Sequence, residues 1–338
     1  MAIDRRIAVV AARAWTWEAV SGRDAVVDPF DPEAPNASRW TDHLAEVVRG
    51  LRAHGVSLPG ARLAVASSLP RHAGFGAAMA LRISAAKALS LLAGRRVSDA
   101  ELVAAACAEP PREGRAEQWR DASAIALARR DAVTWLDPAE ETLRTHPFDS
   151  SVWMVESGAR ATVPREQTDD TAREDREALA LLDEHGLSLA RLGDLAPASL
   201  PAALAWLPPP LHARVSRVVT ETDRVGRLIR EGVNAARLAG LWGEAPVASP
   251  SGDEIECLLL SARTRGALGA REVGGPGWGI AVLLPPEGAA RIEAMMAEDF
   301  RHAFGRIPSI WRSSPAPGVL AESLRAGAGG SGQDANAR

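Results

Sequence analysis

Residues 69–89 read LPRHAGFGAAMALRISAAKAL, a glycine-containing turn that leads into a long alanine-rich segment. The preceding run 62–67 predicts a strand, and Ile83, Leu89 and Leu92 have the spacing of a buried helix. The first N–H groups of a helix can bind an anion, and glycine lets the backbone approach a phosphate closely. The stretch therefore suits a phosphate site, and it equally suits plain packing of a buried helix.

Strand and helix patterns alternate on both sides of this stretch, which predicts an α+β fold. Strands are predicted at 6–14, 24–27, 132–136, 151–156, 279–284 and 310–312. Helices are predicted at 40–54, 98–107, 121–129, 171–185, 211–241, 254–265 and 287–304, the second beginning with a capping box of Ser98 and Glu101. The composition shifts near residue 165, so we expect domains at 1–165 and 166–318 and a disordered tail at 319–338.

The composition is that of a globular protein of 338 residues, with 46% hydrophobic and 24% charged residues. The net charge of −4 provides no general attraction for nucleic acid or for an anionic membrane. No apolar stretch reaches the ~18 residues of a membrane span, and no signal peptide is recognisable, so we expect a cytoplasmic protein. Two cysteines, Cys107 and Cys257, fit neither a disulfide framework nor a four-ligand zinc site.

The order of motifs in the first half resembles the galactokinases of the GHMP kinase superfamily. Their phosphate loop reads Pro-x-Gly-x-Gly-Leu-Ser-Ser-Ser-Ala-Ala, and its frame is matched here by Pro70, Gly74, Phe75, Ala80 and Leu81. Their Met-Asp-Gln segment and the later Leu-Leu-Asp are similar to residues 120–122, Arg-Asp-Ala, and 135–137, Trp-Leu-Asp. The spacing between Asp121 and Asp137 equals that of the family.

The second half resembles the family more closely. Residues 217–225, RVVTETDRV, are similar to the galactokinase run His-Val-Val-Thr-Glu-Asn-x-Arg-Val, and residues 249–255 to Ser-x-Pro-Glu-Leu-Asp. The stretch 269–282 looks like the family's Gly-Ala-Arg segment, glycine loop and following strand. The resemblance covers the chain from about residue 1 to residue 318.

This resemblance implies a two-domain GHMP kinase-like fold, with a mixed sheet in the N-terminal domain and a ferredoxin-like α+β C-terminal domain. It implies an ATP-dependent phosphotransferase that passes the γ-phosphoryl group to a sugar hydroxyl, the anomeric one in galactokinases. Asp121 would face that hydroxyl as the catalytic carboxylate, and Gly274 and Gly275 would contact the sugar. The residues implied to hold ATP are Pro70, His72, Gly74, Phe75, Gly76, Ala77 and Ala78. Mg²⁺ is implied with the nucleotide, although no metal-ligating residue is assigned.

Several departures from the family pattern leave a second function open. The galactokinase signature Gly-Arg-x-Asn-x-x-Gly-Glu-His-x-Asp is missing, so either translation starts upstream of Met1 or the element has been lost. Gly76, Ala77 and Ala78 replace the loop serines, whose hydroxyls would reach phosphate and Mg²⁺. Ala122 replaces the glutamine, and the sugar-contacting tyrosine falls near Thr168. The alternative is a catalytically degenerate relative that binds a sugar, a nucleotide or a protein without phosphoryl transfer.

Individual residues also have simpler interpretations. Asp121 also suits a helix start, where a carboxylate is stabilised by the helix dipole. His72 could donate to an oxyanion or be solvated, and Trp278 could cover an adenine or pack between domains. Glu221 and Asp223 are interpreted as carboxylates near a helix start that need no ligand.

Overall fold

The structure is a computed structural model. It describes residues 1–22, 25–69, 76–107, 112–138, 140–158, 165–243, 252–273 and 279–323, without the side chains of 112–117 and 165–170. Among the helices of these ranges, none combines the length and the apolar character needed to cross a membrane.

The first half of the chain forms a mixed four-stranded sheet with helices against one face. Its strands are β1 (Ile7–Arg13), β2 (Trp17–Ser21), β3 (Val27–Pro29) and β4 (Ala61–Ser67), and its helices are α1 (Asp42–Ala53), α2 (Ala77–Leu92), α3 (Asp99–Ala106) and α4 (Arg112–Ala126). The order is β1-β4-β2-β3, and only β2 and β4 are parallel. The predicted mixed sheet is therefore confirmed. So is the capping box, in which the backbone N–H of Glu101 donates to the Ser98 hydroxyl and that of Ser98 to the Glu101 carboxylate.

Apolar spacing explains why α1 and α2 pack on this sheet. Leu44, Val47, Val48 and Leu51 recur on one face of α1 and are at most 3% exposed. They join Leu89 of α2 and residues of the sheet in one core cluster. A second cluster joins α2 to α3 and α4, and this packing fixes the orientation of α4.

The rest of the chain, from residue 132 onward, contains a hairpin, a helical layer and a second sheet. The hairpin is β5 (Ala132–Asp137) with β6 (Thr142–Pro147). The strands of the second sheet are β7 (Val152–Glu156), β8 (Gly269–Val273), β9 (Gly279–Leu283) and β10 (Ser309–Ser313). The remaining helices are α5 (Arg165–Glu184), α6 (Leu200–Trp206), α7 (Pro209–Glu231), α8 (Ala235–Gly243), α9 (Asp253–Thr264) and α10 (Ala289–Phe304).

The second sheet has the topology of a ferredoxin-like unit. Its order is β10-β7-β9-β8, every pair is antiparallel, and α9 and α10 provide the two helical crossovers. Their core cluster includes Phe300, Ile255 and Met296, each at most 1% exposed. The ferredoxin-like prediction agrees with this topology.

The domain bounds 1–165 and 166–318 need one correction. β7 precedes residue 165, yet it is an inner strand of the second sheet, hydrogen-bonded to β9 and β10. A boundary ahead of β7 keeps this sheet in one unit. The sequence could not indicate this, because the partners of β7 lie far along the chain. The division into two domains otherwise stays a prediction.

The segment after β10 returns to the first half of the chain. The Ala316 N–H donates to the Ala2 carbonyl at 3.0 Å, and the Gly318 N–H donates to the Ala128 carbonyl at 2.7 Å. Val319 packs against both core clusters of the first half. Of the tail predicted as disordered, residues 319–323 are thus described beside the N-terminal core, and 324–338 lie outside the described residues.

Candidate active site

A large cavity separates the two halves of the chain. Its volume is about 2030 Å³, and residues of β1, α2, α4, β5, α7 and β8 line it. Asp121, Gly76 and Arg271 all contribute to its walls, together with many apolar side chains. Among the predicted site residues that the structure describes, Gly76 and Asp121 line this cavity, whereas Ala77 and Ala78 do not.

Asp121 lies on the cavity wall because its neighbours on α4 are buried on the other side. Ala122 and Ser123 are at most 1% exposed, and Ala122 packs in the cluster that joins α2, α3 and α4. The Asp121 side chain is 44% exposed, and its Oδ1 accepts a hydrogen bond from Arg120 Nε at 3.1 Å. The other oxygen of the Asp121 carboxylate thus stays open to the cavity. Ala122, which stands where the family has glutamine, packs in the core.

The first turn of α2 is the candidate phosphate-binding element. Gly76 precedes the helix with φ +69° and ψ 25°, the left-handed conformation that glycine adopts at little cost. Its carbonyl accepts the first helical hydrogen bond, from the Ala80 N–H at 2.8 Å. The N–H groups of Ala77, Ala78 and Met79 have no hydrogen-bond acceptor among the described residues. Within the described part of the chain they form a free helix N-terminus, which follows Gly76 on the cavity wall.

This first turn and Asp121 are close to the same part of the wall. A Cβ atom on Gly76 would lie 3.5 Å from Ile125 Cδ1. Ile125 is one helical turn after Asp121 on α4, so both side chains project from the same face of that helix. The start of α2 therefore lies beside the face of α4 that carries Asp121.

Several predicted residues lie outside the described part of the chain. They are Pro70, His72, Gly74 and Phe75 of the first glycine turn, and Gly274, Gly275 and Trp278 of the second. Ala77 and Ala78 are described and exposed. The roles implied for all of these residues stay predictions.

The opposite wall contains a charged cluster that sequence reasoning did not assign to the site. Glu221 contacts Arg271 Nη1 at 3.1 Å and Arg224 Nη1 at 3.0 Å. The interpretation of Glu221 and Asp223 as residues near a helix start is wrong, because α7 begins at Pro209 and both lie well inside it. The available signal was that Glu221 and Arg271 belong to two of the quoted motifs and carry opposite charges.

Asp137, matched to the family by spacing, is held by another residue. Arg191 Nη1 donates to its Oδ1 at 2.7 Å, and Arg191 Nε donates to Asp194 at 2.8 Å. These two carboxylates raise the pKa of Arg191. Asp137 therefore ties the β5–β6 hairpin to the loop after α5, and it does not line the cavity.

The described residues do not offer a ready magnesium site. No group of three His, Cys, Asp or Glu residues in the described ranges could hold a metal ion. Gly76, Ala77 and Ala78 bring no oxygen-bearing side chain to the start of α2, although oxygen is what Mg²⁺ requires. The free N–H groups of α2 do fit a phosphate.

Comparison with known proteins shows a consistent set of relatives. No family model matches the chain. It is 27% identical to a galactokinase of Roseiflexus sp. RS-1 over 299 residues, covering 83% of this chain and 75% of the relative. It is 28% identical to a galactokinase of Streptomyces coelicolor over 306 residues, covering 85% of this chain and 77% of the relative.

Solved structures with the same fold extend the comparison. Galactokinase of Lactococcus lactis, solved in complex with galactose, superposes with a TM-score of 0.81 at 17% identity, covering 94% of this chain and 87% of that one. A homoserine kinase of Cytophaga hutchinsonii gives a TM-score of 0.56 at 14% identity, covering 94% of this chain and 88% of that one. The resemblance to galactokinases and the GHMP kinase-like α+β fold predicted from the sequence are confirmed.

Proposed function

We propose that the chain is an ATP-dependent sugar kinase of the galactokinase type. The observation that carries this proposal is the arrangement of Asp121 and the free first turn of α2 on one wall of a cavity between two halves of a GHMP kinase-like fold. Phosphoryl transfer depends chiefly on positioning and on stabilising charge. A phosphate-binding helix start beside an open carboxylate provides both.

The nucleotide phosphates bind at the start of α2. The N–H groups of Ala77, Ala78 and Met79 donate to phosphate oxygens, and the positive end of the helix dipole adds to the attraction. The first turn offers no hydroxyl to a metal, so Mg²⁺ that accompanies the nucleotide would be held by the phosphates and by water and not by this turn. The metal offsets phosphate charge.

Asp121 acts on the acceptor. Its open oxygen accepts the proton of a sugar hydroxyl while that hydroxyl oxygen bonds to the γ-phosphorus. The bond between the γ-phosphorus and the bridging oxygen breaks, and ADP leaves with that oxygen. The sugar is thereby converted to its phosphate ester and one proton is released.

One observation favours a second candidate, a relative that binds ligands without transfer. The start of α2 is formed by Gly76, Ala77 and Ala78, so no side-chain oxygen there orients a metal–nucleotide complex. Such a protein would bind a sugar, a nucleotide or a protein partner through the same cavity. The two candidates differ in turnover, not in binding.

The deciding experiment offers ATP and a panel of hexoses, pentoses and amino sugars to the wild-type chain and to Asp121→Asn. We expect one sugar to be phosphorylated and turnover to fall ~10²–10⁴-fold in the variant, because the proton acceptor is lost with little change in volume. The affinity of Asp121→Asn for ATP should equal that of wild type. Asp183→Asn, at an exposed helical carboxylate outside the cavity, is the matched control.

Two results would argue against the proposal. Phosphorylation that survives Asp121→Asn unchanged would remove Asp121 from the reaction. A folded chain that binds ATP but phosphorylates none of the sugars would favour the non-catalytic relative.

The metal dependence of nucleotide binding provides a separate prediction. ATP titrated into the chain with and without Mg²⁺ should bind weakly in both cases, with similar dissociation constants by calorimetry. The reason is that backbone N–H groups contact the phosphates directly, whereas no hydroxyl at Ala77 or Ala78 contacts the metal. Binding that requires Mg²⁺ would contradict this assignment.

A further inference from the structure

A buried arginine joins three helices in the first half of the chain. Arg82 of α2 is 8% exposed, and it contacts both α1 and α3. Its Nη1 donates to the carbonyl of Ala106, the last residue of α3, at 3.3 Å. Its Nη2 contacts the carboxylate of Glu46 on α1, whose Oε1 accepts a hydrogen bond from Asn36 Nδ2 at 2.6 Å. A buried charge is tolerated only when it is paired, so these contacts help to hold α2 in place.

His43 of α1 is a further partner of this guanidinium. Its Nδ1 lies 3.0 Å from Arg82 Nη2 and 3.3 Å from Arg82 Nε. A guanidinium only donates hydrogen bonds, so Nδ1 must accept, and the ring proton of neutral His43 is on Nε2. The contact with Arg82 therefore determines both the charge and the tautomer of His43.

Protonation of His43 is incompatible with this arrangement. The added proton binds at Nδ1, which can then no longer accept from Arg82, and the positive ring faces a positive guanidinium at 3.0 Å. A protonated ring needs an acceptor. Glu46 lies three residues further along α1, on the same face as His43, and its carboxylate is already in contact with Arg82. The two cations then compete for one carboxylate.

The charged groups that act on the ring come from α1, α2 and the loop before α1. Burial of the ring, followed by the Arg82 guanidinium, lowers the pKa of His43 below its ordinary value of 6.5, against the opposing effect of Glu46 and Asp42. The loop contributes Arg39, which pairs with Asp42 at 3.9 Å. α3 contributes a backbone carbonyl, which accepts from Arg82. The described surroundings therefore favour the neutral ring.

We propose that the cluster of His43, Arg82 and Glu46 is a pH-sensitive switch that controls the packing of α2. With His43 neutral, Arg82 joins α2 to α1 through both the ring and the carboxylate. With His43 protonated, the hydrogen bond between the ring and Arg82 is lost, and α2 is held less firmly. Ala80 and Ser84, on the opposite face of α2, line the large cavity, so acid loosens one wall of that cavity.

The pH range of the switch follows from the direction of the pKa change. The folded chain binds the His43 proton less tightly than the unfolded chain does. The contribution of the cluster is therefore fully present above 6.5 and is lost as the pH falls through the lower folded value. This inference goes beyond the proposed function and does not depend on it, because the packing of α2 changes whether or not a nucleotide binds.

The first test is nitrogen NMR of the imidazole rings in the wild-type chain. Near neutral pH we expect the His43 ring to be protonated on Nε2 and not on Nδ1, and its titration midpoint should lie below 6.5. Hydrogen exchange of the α2 backbone amides, corrected for the intrinsic effect of pH, is measured on the same samples. It should become about tenfold faster as the pH falls through that midpoint, the change expected for the loss of one hydrogen bond to a charged group.

The second test is His43→Asn, whose amide oxygen can accept from Arg82 in place of Nδ1 but does not titrate. The acceleration of α2 exchange by acid should disappear in this variant. His302→Asn, at an exposed histidine of α10, is the matched control and should keep the wild-type pH dependence.

Several results would overturn the proposal. They are a proton on Nδ1 of His43 near neutral pH, a midpoint at or above 6.5, exchange of the α2 amides that does not respond to acid, and acceleration by acid that persists in His43→Asn. If thermal unfolding shows that His43→Asn does not fold, the wild-type tautomer, the midpoint and its coincidence with the exchange transition decide.

Discussion

Gly76 links backbone conformation to ligand binding at a single residue. Its φ of +69° lies in the left-handed region, where a β-branched residue is strained by roughly 1–2 kcal/mol. Gly76→Val should therefore lower the unfolding temperature and abolish ATP binding, because the start of α2 must shift to relieve the strain. Calorimetric titration with ATP and thermal unfolding measure the two effects.

Asparagine provides the control at this position. It tolerates the left-handed conformation better than most other residues, and among the described residues a Cβ atom there meets only Ile125 Cδ1, at 3.5 Å. Gly76→Asn should keep the fold and most of the affinity for ATP. Wild-type ATP affinity in Gly76→Val would mean that the phosphates bind elsewhere.

Residues of the site could be predicted only where a local sequence motif marks them. Asp121 was assigned from its motif, and the structure places it on the cavity wall, while its catalytic role stays a prediction. The opposite charges of Glu221 and Arg271 in two of the motifs were a signal, but their contact joins α7 to β8, and no local pattern encodes that these two elements meet. Ala122 was correctly seen as a departure from the family, but only the packing of α4 shows that its position is fully buried.

At the scale of elements, α9 and α10 are joined by a carboxylate. Asp299 of α10 accepts hydrogen bonds from Arg265 Nη2 and Nε at 2.6 and 2.8 Å, and from the Ser261 hydroxyl at 2.6 Å. The Arg265 guanidinium holds the pKa of Asp299 below its ordinary value of 3.8, against a smaller opposing effect of burial. The folded state therefore binds this proton less tightly than the unfolded state.

The stability of the chain should depend on pH accordingly. The contribution of Asp299 is fully present above the ordinary aspartate value near 3.8 and is lost as the pH falls through the lower folded value. Asp299→Asn should lower the free energy of unfolding by about 1–3 kcal/mol at pH 7. The difference in this free energy between the variant and wild type should narrow as the pH falls below 3.8. Urea unfolding at a series of pH values measures it.

An exposed pair on the same helix serves as the comparison. Glu298 contacts Arg301 at 2.6 Å with both side chains more than half exposed, and Glu298→Gln should change stability little, because water and salt screen such pairs. A loss for Asp299→Asn that is constant down to acid pH would show that packing, and not charge, joins the two helices.

The prediction of elements succeeded where local patterns suffice. Apolar spacing located α1 and α2, and the Ser98 box located the start of α3. β2, β6 and β8 were missed, because their sequences WEAVS, TLRTHP and GAREV contain few consecutive apolar residues and each strand is stabilised by its neighbours in a sheet. One helix was predicted at 211–241, but α7 ends before Gly232, whose φ is +90°, and α8 begins anew.

At the scale of the whole molecule, Gly318 holds the C-terminal segment against the first half. A Cβ atom there would lie 2.4 Å from the Ala126 carbonyl oxygen, a contact that only backbone movement can relieve. Gly318→Ala should therefore destabilise the chain by about 1–3 kcal/mol, the range for an overpacked site. Thermal unfolding measures the shift.

The control for this prediction is Gly240 in α8. No described residue lies within 4 Å of a Cβ atom at Gly240, so Gly240→Ala should stabilise the chain by roughly 0.5–1 kcal/mol through helix propensity. A neutral Gly318→Ala would mean that the return of the segment past Ala126 is not required for stability.

The position of β7 also affects how the chain folds while it is being synthesised on the ribosome. β7 is made early, but its two neighbours, β9 and β10, are translated only at residues 279–283 and 309–313. A ribosome-bound chain therefore carries an apolar strand with both edges bare while residues 157–278 are made, about a third of its synthesis. Protection during that interval, by a chaperone or by transient collapse onto nearby helices, becomes a requirement for yield in the cell. Slow translation between β7 and β9 would lengthen that exposure and increase aggregation of the nascent chain, even though the finished protein is unchanged.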